Sequence, residues 1–260
     1  QLTAMLDDLD WLVKLRQDAW QTIKNRNIEV YGRKYSMLYH EIASTRDLIS
    51  IIIPTADRPE VLLKTLAHLI ATPMDNLEII VVDDGEQKCA ETEQVVEAAR
   101  SNQKNITFKY FKSATYANHT KLYGIARARN IGIQEAEGQW LMFLDDRHAV
   151  EPDAIEAFYR RRTVGTWLWG IKDNFKKGFV ENFSFIDRKS VIKIGMFNTL
   201  ISQYGGMTQD IRSRAELNQI RFELVEDAKA NTLIKSSARH HSKKDIAKSK
   251  IQCYKLYGEK

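Results

Sequence analysis

Apolar positions recur along this chain at two different periods. Over residues 2–27, Leu2, Met5, Leu6, Leu9, Leu12, Val13, Trp20 and Ile23 fall mostly three or four apart, with Asp and Lys between them. That spacing predicts an amphipathic helix. Its apolar stripe reads as a docking face, toward the chain's own domain or toward a second copy in a homo-oligomer. A linker follows, and the pattern then changes. Ile49-Ser-Ile-Ile-Ile53 is β-branched and nearly continuously apolar, as a strand covered on both faces should be. Pro54 ends it. Asp57-Arg-Pro-Glu60 has the form of a helix start, with Pro59 in the first turn and Asp57 and Glu60 spaced like a capping box.

The alternation continues to about residue 170. Leu62, Leu63, Leu66, Leu69 and Ile70 make a helical face, and Leu77 to Val82 makes a second buried strand ending in Asp83-Asp84-Gly85. A helix is predicted over 91–100, a strand over 106–111, a helix over 121–135, a strand over 140–144 and a helix over 152–161. The strand over 140–144 ends in Asp145-Asp146. Strands alternating with helices predict an α/β domain with a mostly parallel sheet between helices. Ligands in such domains bind beyond the carboxyl ends of the strands, where two aspartate pairs are expected here. No G-x-G-x-x-G follows the first strand and no G-x-x-x-x-G-K-S/T occurs, which argues against dinucleotide and P-loop readings. Trp167 and Trp169 alternate on a further strand, as a sugar-stacking wall or as core.

Composition narrows the class. With 260 residues and 43% hydrophobic content, the chain can bury one large domain. No apolar run approaches the roughly 18 residues of a membrane span. No charged-then-apolar leader opens the chain as given, and its first residue is Gln1, which reads as a trimmed chain. Two cysteines, Cys89 and Cys253, make neither a disulfide framework nor a thiolate metal site. A reducing, cytoplasmic location is expected. Residues 235–260 carry a net +6 against +5 for the whole chain, so the remainder is close to neutral at −1. The basic tail reads either as a solvated stretch or as a contact for an anionic surface, which would make the protein peripheral to a membrane.

Four blocks give the sequence a family resemblance. They are Ile49-Ser-Ile-Ile-Ile-Pro-Thr55; Glu78-Ile-Ile-Val-Val-Asp-Asp-Gly85; Ala128-Arg-Asn-Ile-Gly132 through Ala136-Glu-Gly138 to Phe143-Leu-Asp-Asp146 and Glu151-Pro-Asp153; and Asn182-Phe-Ser184, Gly195-Met-Phe-Asn198, Tyr204-Gly-Gly206 and Gln209-Asp210. In order and spacing they resemble the inverting glycosyltransferases of family 2, with the GT-A fold. The resemblance covers residues 48–242, leaving 1–47 as helix and linker and 243–260 as the basic tail.

The resemblance implies a nucleotide-sugar donor, UDP-linked, and an unspecified acceptor hydroxyl. It places Asp84, rather than Asp83, on the base, with Thr55 and Asp57 beside it and Arg129 near the nucleotide. Without the resemblance, Asp83 and Asp84 are a polar turn and Arg129 a surface helix position. Asp145 and Asp146 resemble the family's acidic motif, in which Asp146 would hold Mn2+ or Mg2+ on the diphosphate. The common motif has a further acid two positions after the first, where this chain has Arg147. No other cation is evident to balance the two aspartates, so a metal is expected there. Arg147, repelled by it, is expected to turn outward, toward solvent or acceptor; without a metal, Arg147 itself would supply the positive charge. His240 or His241 resembles a histidine that completes the metal site. Asp210 is the implied general base. Ala56 stands where many relatives carry an aromatic that stacks on the base. These departures motivate a second reading, an inactive relative that keeps the nucleotide pocket as a sensor or scaffold. A nucleic-acid module built on the tail ranks last, because only Tyr254 and Tyr257 accompany its charge.

Overall fold

The computed structural model describes residues 47–101, 103, 105–116, 124–174, 178–201 and 206–234. The chain divides between Thr45 and Arg46, and the described residues all belong to the second unit. The expected helix over 2–27, the basic tail, His240 and His241 lie outside them.

Eight strands among the described residues form one sheet in the order β3-β2-β1-β4-β7-β6-β8-β5. They are β1 (Ile49–Thr55), β2 (Leu77–Asp83), β3 (Ile106–Lys112), β4 (Trp140–Leu144), β5 (His148–Val150), β6 (Thr166–Lys172), β7 (Phe183–Asp187) and β8 (Arg221–Thr232). Strands β1, β2, β3 and β4 pair in parallel, β7 runs antiparallel to both β4 and β6, and β8 is parallel to β6 but antiparallel to β5. The result is a mixed sheet of GT-A type rather than an all-parallel one.

Two cores explain the continuous apolar strands. Successive side chains of a strand point to opposite faces. Ile51 and Ile53 pack with Leu62, Leu66 and Leu69 of helix α1 (Pro59–Ile70), with Val96 of α2 (Cys89–Ser101) and with Ile155 and Phe158 of α4 (Ala154–Arg161). Ile52, from the opposite face, packs with Ala128 and Ile131 of α3 (Ile125–Glu135), Val191 of α5 (Arg188–Lys193) and Ile211 of α6 (Met207–Leu217). Each fully buried Ile or Leu contributes about 1.5–3 kcal/mol, so the sheet is fixed from both sides.

The capping box expected at α1 does not form. Arg58 is the N-cap residue and no side chain caps the helix. Asp57 sits at φ +53°, and its carboxylate accepts instead from the backbone N–H groups of Glu86, Gln87 and Lys88. Those donors belong to the turn after β2, so Asp57 fastens two neighbouring loops together.

Candidate active site

The chain leaves β1 for β2 and then β3 on one side, and returns to place β4 on the other side of β1. The connections therefore part at the carboxyl ends of β1 and β4, which opens a crevice there. Charged side chains fill that place. Asp146, just past β4, accepts a 2.7 Å bond from the Thr55 hydroxyl at the end of β1. Its other oxygen lies 2.9 Å from Arg58 Nη2. Thr65 of α1 donates to the Asp146 carbonyl at 2.7 Å. Asp145 turns to the opposite side of the crevice, accepting from Arg129 (3.2 Å), Arg147 (3.3 Å) and Asn182 (2.7 Å).

The motif Ala128-Arg-Asn-Ile-Gly132 acquires a separate physical reason at almost every position. Arg129 is buried and reaches both Asp145 and Glu181, the latter at 3.0 Å, with its guanidinium over the Phe197 ring. Asn130 exchanges two hydrogen bonds with the Phe197 backbone. At Gly132 a Cβ would come within 2.4 Å of Ile52, so α3 lies closer to β1 than any side chain there permits.

The electrostatics of the two aspartates diverge. Burial pushes the Asp146 carboxyl up to about 6, although Arg58 and Thr55 pull the other way. Burial acts on Asp145 too, but Arg129 chiefly, with His148 and Arg147, holds it down at about 2. Burial drives His148 down to about 4, and its Nδ1 is buried without a hydrogen-bond partner.

A second cluster lies one strand further along. Asp84 accepts from Ser113 and from Arg127 Nη2, the latter at 2.5 Å. A Cβ on Gly124 would overlap that carboxylate. Asp84 keeps 19% side-chain exposure, whereas Asp83 is buried, accepting from the Gly85 N–H and the Tyr110 hydroxyl. Asp83 and Asp57 are thus braces of the loop, and Asp84 keeps a partly exposed carboxylate.

Two sequence expectations need correction. Asp210 is fully buried on α6 and held by Arg214 and Asn198. It has no surface with which to meet an acceptor hydroxyl. Arg147 lies on Asp145, with 16% side-chain exposure. The aspartates are also not without cations, since Arg58, Arg129 and Arg147 all reach them. Arg58, Arg127 and Glu181 went unread in the sequence. The signal available was position alone: Arg58 follows the first strand by three residues, and Arg127 sits two before Arg129. Trp167 is core, its indole N–H bonded to Ser184, and Trp169 is half-buried against Phe179.

A divalent ion in this place needs hard oxygen ligands that converge. Asp145 and Asp146 instead face separate partners, and both oxygens of Asp145 already carry guanidinium groups. Among the described residues no three His, Cys, Asp or Glu side chains gather as a metal site. The described donor set for a cation is thus Asp146 alone, whose Oδ1 is buried without a hydrogen-bond partner and already faces Arg58.

The fold defines the class, a GT-A-type domain with charged side chains gathered at the carboxyl ends of its strands. Residues 50–166, a little under half of the chain, match the model of Glycosyl transferase family 2, which supports the resemblance read from the sequence. It is 32% identical over 109 residues to an uncharacterized glycosyltransferase of Haemophilus influenzae, a match covering 42% of this chain and 32% of that protein. The chain thus spans about a third of that relative's length. Among solved structures, a mannosyltransferase from Pyrobaculum calidifontis in complex with GDP-Man and Mn2+ superposes with a TM-score of 0.63 at 15% identity, covering 90% of this chain and 74% of that one. GalNAc-T7 with UDP, GalNAc and Mn2+ gives 0.63 at 13% identity, covering 81% and 48%. At these identities the likeness is one of fold.

Proposed function

We propose that this chain transfers a sugar from a nucleotide-sugar donor, UDP-linked, to an acceptor hydroxyl, with inversion at the anomeric carbon. The observation that carries the reading is the crevice between β1 and β4, where Arg58, Arg129 and Arg147 gather beside Asp145 and Asp146 within a domain that matches the family 2 model. Guanidinium groups match phosphate oxygens in geometry and charge. Positive charge placed where the leaving diphosphate gains negative charge lowers the barrier to its departure. Asp84 supplies a partly exposed acceptor for a base imide N–H, one strand from the diphosphate place, and Arg127 beside it supplies donors for base carbonyls.

The sugar is of hexosyl or N-acetylhexosaminyl type, and the acceptor is a hydroxyl compound such as a saccharide, lipid-linked glycan or peptide. Among the described residues no helix is long and apolar enough to cross a membrane. The +6 tail is proposed to bring the domain to an anionic surface. A ligand that binds only the native state raises its melting temperature. Thermal denaturation with a panel of nucleotide sugars should therefore show stabilisation by one of them, reduced in Asp84→Ala. A panel without any stabilising member would contradict the donor assignment.

A further inference from the structure

We propose that the donor diphosphate is held in this chain by the guanidinium groups of Arg58 and Arg147, in place of a divalent ion. The inference rests on the nucleotide-sugar reading above and adds what neutralises the phosphates. Arg147 occupies the position two residues after Asp145, and its side chain returns onto that carboxylate at 3.3 Å. A cation bound there would sit against the Arg147 guanidinium. Arg58 approaches from the other wall, from the first turn after β1, with a third of its side chain exposed and Nη2 on Asp146. Its Nε is buried and has no hydrogen-bond partner, so one planar donor of the fork is uncommitted.

Arg147 can turn to an incoming diphosphate without stranding the acid it leaves, whereas Arg58 serves from its place on Oδ1 of Asp146, a buried oxygen without a hydrogen-bond partner. Asp145 keeps Arg129 and Asn182. Asp146 keeps the Thr55 hydroxyl. Arg129, by contrast, is buried between Asp145 and Glu181 and stays as the fixed charge beneath them. Two guanidinium groups supply two positive charges, about the charge of the bound diphosphate, in a forked geometry suited to its oxygens.

Calorimetric titration of the full chain with UDP and with GDP, first in EDTA and then in excess Mn2+, tests this without relying on turnover. The expected result is binding of at least one nucleotide in EDTA, with an affinity that Mn2+ changes less than about twofold. Arg58→Ala and Arg147→Ala should each weaken binding about tenfold, with or without Mn2+, as expected for loss of a charge-assisted contact. Binding that falls tenfold or more in EDTA and returns with Mn2+ would overturn the proposal and leave the donor reading standing. If neither nucleotide binds under either condition, the donor reading fails and this one with it. The metal comparison uses the unmutated chain, so its outcome does not depend on how the variants fold.

Discussion

A general base must meet its substrate, and Asp210 meets only protein. Its carboxylate takes two donors from Arg214, one turn on, and one from Asn198. Removing one member of a buried ion pair leaves the other uncompensated, at a cost of about 3–5 kcal/mol. Asp210→Asn should therefore lower unfolding free energy by about 3 kcal/mol in urea denaturation. Unchanged stability with lost transfer would instead return Asp210 to the role of base. A second residue-scale prediction concerns pH. The Asp146 carboxyl is raised to about 6, so the fold binds its proton before the unfolded chain does, and stability rises as pH falls from 6 toward 4. His148 is lowered to about 4, so the unfolded chain takes that proton first, and stability falls as pH drops from 6.5 toward 4. Each shift corresponds to about 3 kcal/mol, with opposite sign, over nearly the same window. In Asp146→Asn only the His148 contribution remains. Between pH 6.5 and 4 the variant should lose about 3 kcal/mol more than the unmutated chain. Parallel stability curves for the two would show that Asp146 ionises normally.

Among the elements, β1, β2 and β4 were legible because both of their faces are covered, and that leaves an unbroken apolar run in the sequence. Helix α3 was legible in its body and not at its start. The expected span began at 121, whereas the described helix begins at Ile125 with Gly124 as its cap. The capping box at α1 was misread for a tertiary reason, since Asp57 found better donors in a loop 29 to 31 residues away. The closeness of α3 to β1 is testable at Gly132. An added methyl would press on Ile52, inside a packed core where overpacking costs about 1–3 kcal/mol. Gly132→Ala should destabilise by that amount in chemical denaturation. A gain of about 0.5–1 kcal/mol, the value of Ala over Gly in an unhindered helix, would show that the helix does not lie so near.

For the whole molecule, strand order decides where chemistry can occur; the carboxyl ends of the strands followed from the βα alternation and the aspartates that end two of them, whereas the place of β1 beside β4 comes from the fold. What the sequence also did not disclose is the charge balance within the crevice between them. Arg58, Arg129, Arg147 and Glu181 come from segments spread over more than a hundred residues, and only folding makes them neighbours. Reasoned without them, Asp145 and Asp146 called for an outside cation and Arg147 for a place in solvent. If the crevice turns over a nucleotide-activated sugar, free nucleotide must leave it. Its release from a panel of UDP- and GDP-sugars can be followed for the full chain and for Arg58→Ala. At least one donor should be cleaved, and about tenfold or more slowly by the variant, whose lost contact would bear on the departing diphosphate. Release from no donor, or release at equal rates by both proteins, would contradict that assignment.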